Sequence, residues 1–128
     1  LYEVKEIITT KNAPQAIGPY SQAVLANGTL YSSGQIAIDP QTNLLVLETI
    51  EAETHQVMKN LRAVLEAANM DFSNVVKCTI FLKDMNQYAS INEVYKTYFN
   101  ENPPAREAVQ VSELPKSVNV EISAIGVK

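Results

Sequence analysis

The sequence predicts an α+β fold, a mixed, largely antiparallel sheet with two helices packed on one face. Three observations carry this. Strand pairs stand at both ends of the chain, two segments between them switch to helical spacing, and one strongly apolar strand separates the helices. A first strand spans Glu3–Thr9. Tyr20–Ala26 and Thr29–Gln35 flank Asn27-Gly28, a dipeptide suited to a two-residue hairpin turn. Asp39–Asn43 reads as a loop. From Ala52 to Asn69, Val57, Met58, Leu61, Val64, Leu65 and Ala68 form one helical apolar face, and Asn69 suits a left-handed helix end. Val75–Leu82 is β-branched and aromatic, a buried strand. Asp84 with Gln87 resembles a capping box opening a second helix, which carries Tyr88, Ile91, Val94, Tyr95, Tyr98 and Phe99 until Pro103-Pro104 stops it. Arg106–Val111 and Val118–Val127 read as two strands around a turn at Glu113–Lys116. One sheet face is left without a helix cover, and a second subunit is the usual way to bury such a face.

The 128 residues fit a single domain, 1–128, and 46% apolar residues fit a globular one. The net charge of −4 argues against nucleic acid or an anionic membrane surface as the main partner. Cys78 is the one cysteine, so no internal disulfide is possible and a reducing, cytoplasmic setting is expected. No apolar run approaches the roughly 20 residues of a membrane span, and Leu1–Thr10 lacks a basic-then-apolar signal layout. With one histidine and one cysteine, a metal site would need carboxylates alone, and no such cluster stands in the sequence. Neither a metal nor a cofactor is expected. There is no phosphate-cradling glycine loop.

The last two strands hold the sharpest chemical signal. Val118, Val120, Ile122, Ala124 and Gly126 form a core face, which leaves Glu121 on the opposite face with Asn119 and Ser123. Arg106, Ala108 and Gln110 share a face of the preceding strand. With the turn centred on Glu113-Leu114, Arg106 lies directly across from Glu121. Two readings follow. One is a cross-strand ion pair that holds the hairpin. The other is a carboxylate-binding fork beside a general base, since the fixed donors of Arg match both oxygens of a carboxylate. In that arrangement the Arg lowers the pKa of the Glu and keeps it ionised.

Ile17-Gly-Pro-Tyr-Ser-Gln22, Ser32-Ser-Gly-Gln-Ile36, Pro104-Ala-Arg106, Leu114-Pro-Lys116 and Val120-Glu-Ile122 occur in this order with the spacing of the RidA (YjgF) family. The resemblance covers essentially the whole chain. It implies a chorismate-mutase-like fold, a homotrimer with sites in the clefts between subunits, and deamination of enamine and imine intermediates made by pyridoxal-phosphate enzymes. By the same resemblance, Arg106 is the carboxylate clamp and Glu121 the water-positioning base. Tyr20 and Ser33 are pocket residues, and Gly34 is where a backbone N–H reaches the ligand. Asn92 resembles the helix residue that a neighbouring subunit contributes. Two positions depart from the family pattern. Ala108 stands where cysteine is common, which leaves only its backbone for the ligand. Glu107 stands where a small residue is usual, and strand alternation points it away from Arg106.

Cys78 lies in an apolar strand and His55 in the first helix without a partner, which argues against a Cys–His nucleophile. The tyrosine stripe of the second helix reads as core or interface. The expected reaction is hydrolysis of small 2-imino acids, such as 2-iminobutanoate and 2-iminopropanoate, to 2-keto acids and ammonia. The alternative is a non-enzymatic regulatory module binding a small acid in the same cleft. A chorismate-mutase-type rearrangement rests on fold analogy alone. A ribonuclease would need a charge distribution that this acidic chain lacks.

Overall fold

Asn27 and Gly28 both take positive φ, 52° and 77°. That is the backbone a tight hairpin turn demands, and it locks β2 (Ala23–Ala26) against β3 (Thr29–Ser32). The computed structural model describes residues 4–128. β1 (Glu6–Ile8) pairs with the other edge of β2, and Glu3, the start of the expected strand, lies outside the described residues. The Asp39–Asn43 loop is the turn of a small separate hairpin, β4 (Ile38–Asp39) with β5 (Leu44–Leu45).

Helix α1 (Ile50–Ala67) starts two residues before the expected Ala52. The Thr49 hydroxyl caps it by accepting the Ala52 N–H at 3.0 Å. Asn69 takes the left-handed conformation expected of it, with φ 58°. Val57, Met58, Leu61, Val64 and Leu65 are fully buried, the apolar stripe read from the spacing. Asp84 accepts the Asn86 N–H at 2.9 Å, but Gln87 does not close the expected capping box, and its buried Oε1 finds no partner among the described residues. α2 (Tyr88–Tyr95) follows after one 3₁₀ turn.

The main sheet has six strands in the order β1-β2-β3-β8-β6-β7, with β6 (Val75–Leu82), β7 (Ala105–Gln110) and β8 (Val120–Val127). The expected hairpin of the last two strands does not form. β7 runs parallel to β6 on the sheet edge, and β8 pairs antiparallel with the other side of β6. The cause is α2, because a helical crossover of this length returns the chain to lie parallel beside the strand it left. Glu113–Lys116 is therefore a link that carries the chain past β6. Both helices pack on the face formed by the even positions of β8. On the opposite face Tyr31 and Val109 stay half-exposed.

Candidate active site

Strand alternation places Glu121. Val120, Ile122 and Ala124 are buried beneath the helices, so Glu121 projects from the other face. The β3–β8 pairing breaks beside it. Tyr31 pairs with Ile125, and pairing resumes one residue out of step at Gln35 and Ile122. This local bulge sets Gly34 under the Glu121 carboxylate. A Cβ at Gly34 would lie 2.3 Å from Glu121 Oε2, so only glycine leaves the side chain its place. Burial pushes the Glu121 carboxyl above the ordinary glutamate range. This reverses the expected direction, because the Arg expected beside it is not there.

Glu121 opens into a cavity of about 510 Å³ whose walls include Ile17, Tyr20, Gly34, Ile36 and Pro115. The Tyr20 ring is half-exposed at this cavity, and its hydroxyl accepts a long bond from the Ile17 N–H at 3.4 Å. Ser33 stands beside Gly34, donates its hydroxyl proton to the Ser21 carbonyl and gives its own N–H to Gln22 O at 2.9 Å. Its hydroxyl thus serves the frame of the site.

Arg106 sits elsewhere. In β7 it pairs with Cys78, two strands from β8, and its side chain reaches the helix side of the sheet. Nη1 donates to Asn92 Oδ1 at 2.6 Å, and Nη2 donates to the Tyr88 hydroxyl. The guanidinium carbon lies 5.0 Å from the Tyr95 ring centre and 5.5 Å from that of Tyr88. Tyr88, Asn92 and Tyr95 share one helix face at spacings of four and three. Asn92 therefore bonds Arg106 of its own chain. The outer side of β7 is a free edge. The Val111 N–H bonds Leu82 O at 2.9 Å, so by alternation the Ala108 N–H points outward from that edge.

One chain therefore does not join Arg106 to Glu121. They project from opposite faces, and their strands stand roughly 10 Å apart across β6. Glu107 turns away from Arg106 as alternation requires. It pairs with Lys77 Nζ at 3.0 Å and accepts the Thr79 hydroxyl at 2.9 Å, and these contacts hold its carboxyl below the ordinary range. Cys78 is buried, and burial raises its thiol pKa. Among the described residues no group of three His, Cys, Asp or Glu is placed to hold a metal ion, and no helix is long and apolar enough to cross a membrane.

Two framing residues were missed. Glu53 is fully buried, and its carboxylate accepts the Asn119 N–H and side-chain amide, each at 2.8 Å, and the Val120 N–H at 3.2 Å. This fixes the chain just before Glu121. Gln22 hangs the segment that walls the cavity. Its amide donates to Thr10 O, Ala13 O and Pro14 O, and its carbonyl accepts the Thr10 N–H at 2.7 Å.

The family model described as endoribonuclease L-PSP matches residues 10–128. A RutC family protein of Pyrococcus horikoshii is 53% identical over 98% of this chain and 99% of its own. The 2-iminobutanoate/2-iminopropanoate deaminase of Rattus norvegicus is 50% identical over 98% of this chain and 91% of its own. The solved structure of E. coli TdcF with bound serine superposes with a TM-score of 0.92 at 40% identity, covering 96% of this chain and 98% of that one.

Proposed function

Because the chain belongs to the RidA (YjgF), or endoribonuclease L-PSP, family, we propose that it hydrolyses small 2-imino acids to 2-keto acids and ammonia at a site shared between copies of the chain. The observation that carries the proposal is the separation of Arg106 from Glu121. A guanidinium that among the described residues is held by neutral acceptors alone, at a free sheet edge, seeks an anion, and a half-buried carboxylate in a mostly apolar cavity suits a base. An imino acid is too small to reach both within one chain. The free edge of one copy set against the cavity of the next would bring them together, and a head-to-tail contact of this kind forms a ring where its rotation closes. Three copies, a homotrimer, is the ring that the family resemblance implies, and it would cover the open sheet face.

In this site Arg106 binds the substrate carboxylate, aided by the outward Ala108 N–H, and fixes the imine carbon against Glu121. Tyr20 and the backbone at Gly34 complete the wall, with Ser33 and Asn92 framing the two halves. Glu121 takes a proton from water as the oxygen attacks that carbon. The proton passes to nitrogen, the carbinolamine collapses to the ketone, and ammonia leaves. The raised Glu121 pKa makes it a stronger base than an exposed glutamate. The names of the rat deaminase and of TdcF with bound serine, a ligand with an α-carboxylate, support the substrate class. The single buried thiol fits a reducing, cytoplasmic setting.

The test is a coupled assay in which a pyridoxal-phosphate enzyme releases 2-iminobutanoate and keto-acid formation is followed with and without this protein. Acceleration over the spontaneous rate is the expected result. Keto-acid binding without acceleration would leave a binding module and reject the enzyme.

A further inference from the structure

Arg106 has two neutral acceptors, Asn92 Oδ1 and the Tyr88 hydroxyl, and among the described residues no carboxylate pairs with it. Tyr88 is in a particular position in this set. A phenol oxygen carries one proton and two lone pairs. Arg106 Nη2 donates to that oxygen, so the phenol proton turns away from the guanidinium while staying beside it. The described residues offer that proton no acceptor. The ring packs against the hydrophobic core, which holds the hydroxyl beside the guanidinium. Tyr95 differs. It lays its ring against the guanidinium, but its hydroxyl is buried beside Cys78. Of the two tyrosines, Tyr88 alone holds a proton at the working end of Arg106.

We propose that Tyr88 is a substrate-binding residue whose hydroxyl donates to the same ligand carboxylate that Arg106 clamps. The inference rests on the reading of Arg106 as that clamp. An anion drawn to the guanidinium brings oxygens to the one place where the phenol proton lacks an acceptor. The phenol oxygen is then fully used, accepting from Nη2 and donating to the carboxylate. Such a donor also sharpens selectivity for carboxylates, because a ligand lacking the anionic oxygen leaves the phenol proton unpaired.

The test uses 2-ketobutanoate as the probe, since it carries the carboxylate and needs no chemistry to bind. Tyr88→Phe keeps the ring and removes only the hydroxyl. It should weaken 2-ketobutanoate roughly tenfold, with the melting temperature unchanged. In protein labelled with ¹³Cζ-tyrosine, the Tyr88 resonance, identified by its loss in Tyr88→Phe, should move when 2-ketobutanoate is added. Parent-like affinity in Tyr88→Phe overturns the inference. So does an unmoved Tyr88 resonance alongside weakened binding, because the hydroxyl would then act only through Arg106. Arg106→Lys is measured in parallel. If it also binds 2-ketobutanoate as the parent does, the clamp reading itself fails. If it loses the probe and Tyr88→Phe keeps it, only the role of Tyr88 fails.

Discussion

Gly34→Ala probes the base without touching it. The new methyl would lie 2.3 Å from Glu121 Oε2, 2.7 Å from Cδ and 2.9 Å from Cγ. Restoring ordinary contact requires roughly 1 Å of movement by the carboxylate. A misplacement of about 1 Å can cost on the order of a hundredfold in rate, so kcat/KM for imino-acid hydrolysis should fall by about that factor. Stability should change less. Overpacking costs about 1–3 kcal/mol. The lost freedom of the unfolded chain returns about 0.4–1 kcal/mol, since Gly34 does not hold a positive φ. The net expectation is a loss of about 1–2 kcal/mol, read from thermal melts. A mutant cycle isolates the cause. In a Glu121→Ala background the clash has no partner, and Gly34→Ala should be neutral or slightly stabilising. Parent activity in Gly34→Ala would show that Glu121 swings freely and does not act as a positioned base. An equal stability loss in both backgrounds would place the strain in the backbone.

The remaining predictions test the site and its frame. Burial raises the Glu121 pKa, so kcat/KM should fall with acidification through a pKa above the ordinary 4.5 of glutamate; a pH–rate profile flat down to pH 4.5 would remove Glu121 as the base. A carboxyl raised on folding favours the folded state below its unfolded pKa and loses that contribution as pH rises through the folded value. Glu121→Gln should therefore raise the melting temperature at pH 7 and leave it unchanged near pH 3.5. Arg106→Lys should weaken 2-ketobutanoate roughly ten- to a hundredfold, whereas Glu121→Gln should keep that affinity and cut kcat on the order of 10²–10⁴-fold; a Glu121→Gln protein at parent rate would leave Glu121 without chemistry. Chains carrying Arg106→Lys and chains carrying Glu121→Gln, refolded together, should recover about a quarter of the parent activity, because in the proposed assembly each site draws its two groups from different copies. No recovery in the mixture would count against the shared site. Cys78 should resist alkylation until the protein unfolds, and rapid labelling of the native protein would contradict its burial.

Local signals were legible in the sequence, and long-range partners were not. Asn27-Gly28 announced its hairpin because the turn demands positive φ twice. The alternation in β8 placed Glu121 on the face away from the helices, and Asn69 ended α1 where its left-handed tolerance allowed. The β7–β8 hairpin was misread although a contrary signal was present: a helix between Val75–Leu82 and Arg106–Val111 calls for parallel pairing of those two strands. That error placed Arg106 and Glu121 side by side when they lie on opposite faces, and it turned the Glu121 pKa shift the wrong way. The motif resemblance named both residues as site candidates but could not show that one chain keeps them apart. Glu53 was missed because it is one polar residue on a helix read for its apolar face, and Gln22, although it closes the Ile17–Gln22 motif, was given no role of its own. Their partners, at Asn119–Val120 and Thr10–Pro14, are fixed only by the tertiary fold.

The Glu53 clasp has a consequence for motion. Its carboxylate binds backbone 66 residues away, across the seam between α1 and β8. The Val120 N–H therefore reaches solvent only when the helix lifts from the strand. A departure of α1 also opens the core formed by Val57, Leu61, Val64 and Ile122. Hydrogen exchange at Val120 should then follow the free energy of global unfolding, not that of local fraying. The residue next to the proposed base thus belongs to the slowest-opening part of the molecule. On that expectation the backbone that carries Glu121 opens only with the whole domain, and a ligand would meet it already formed.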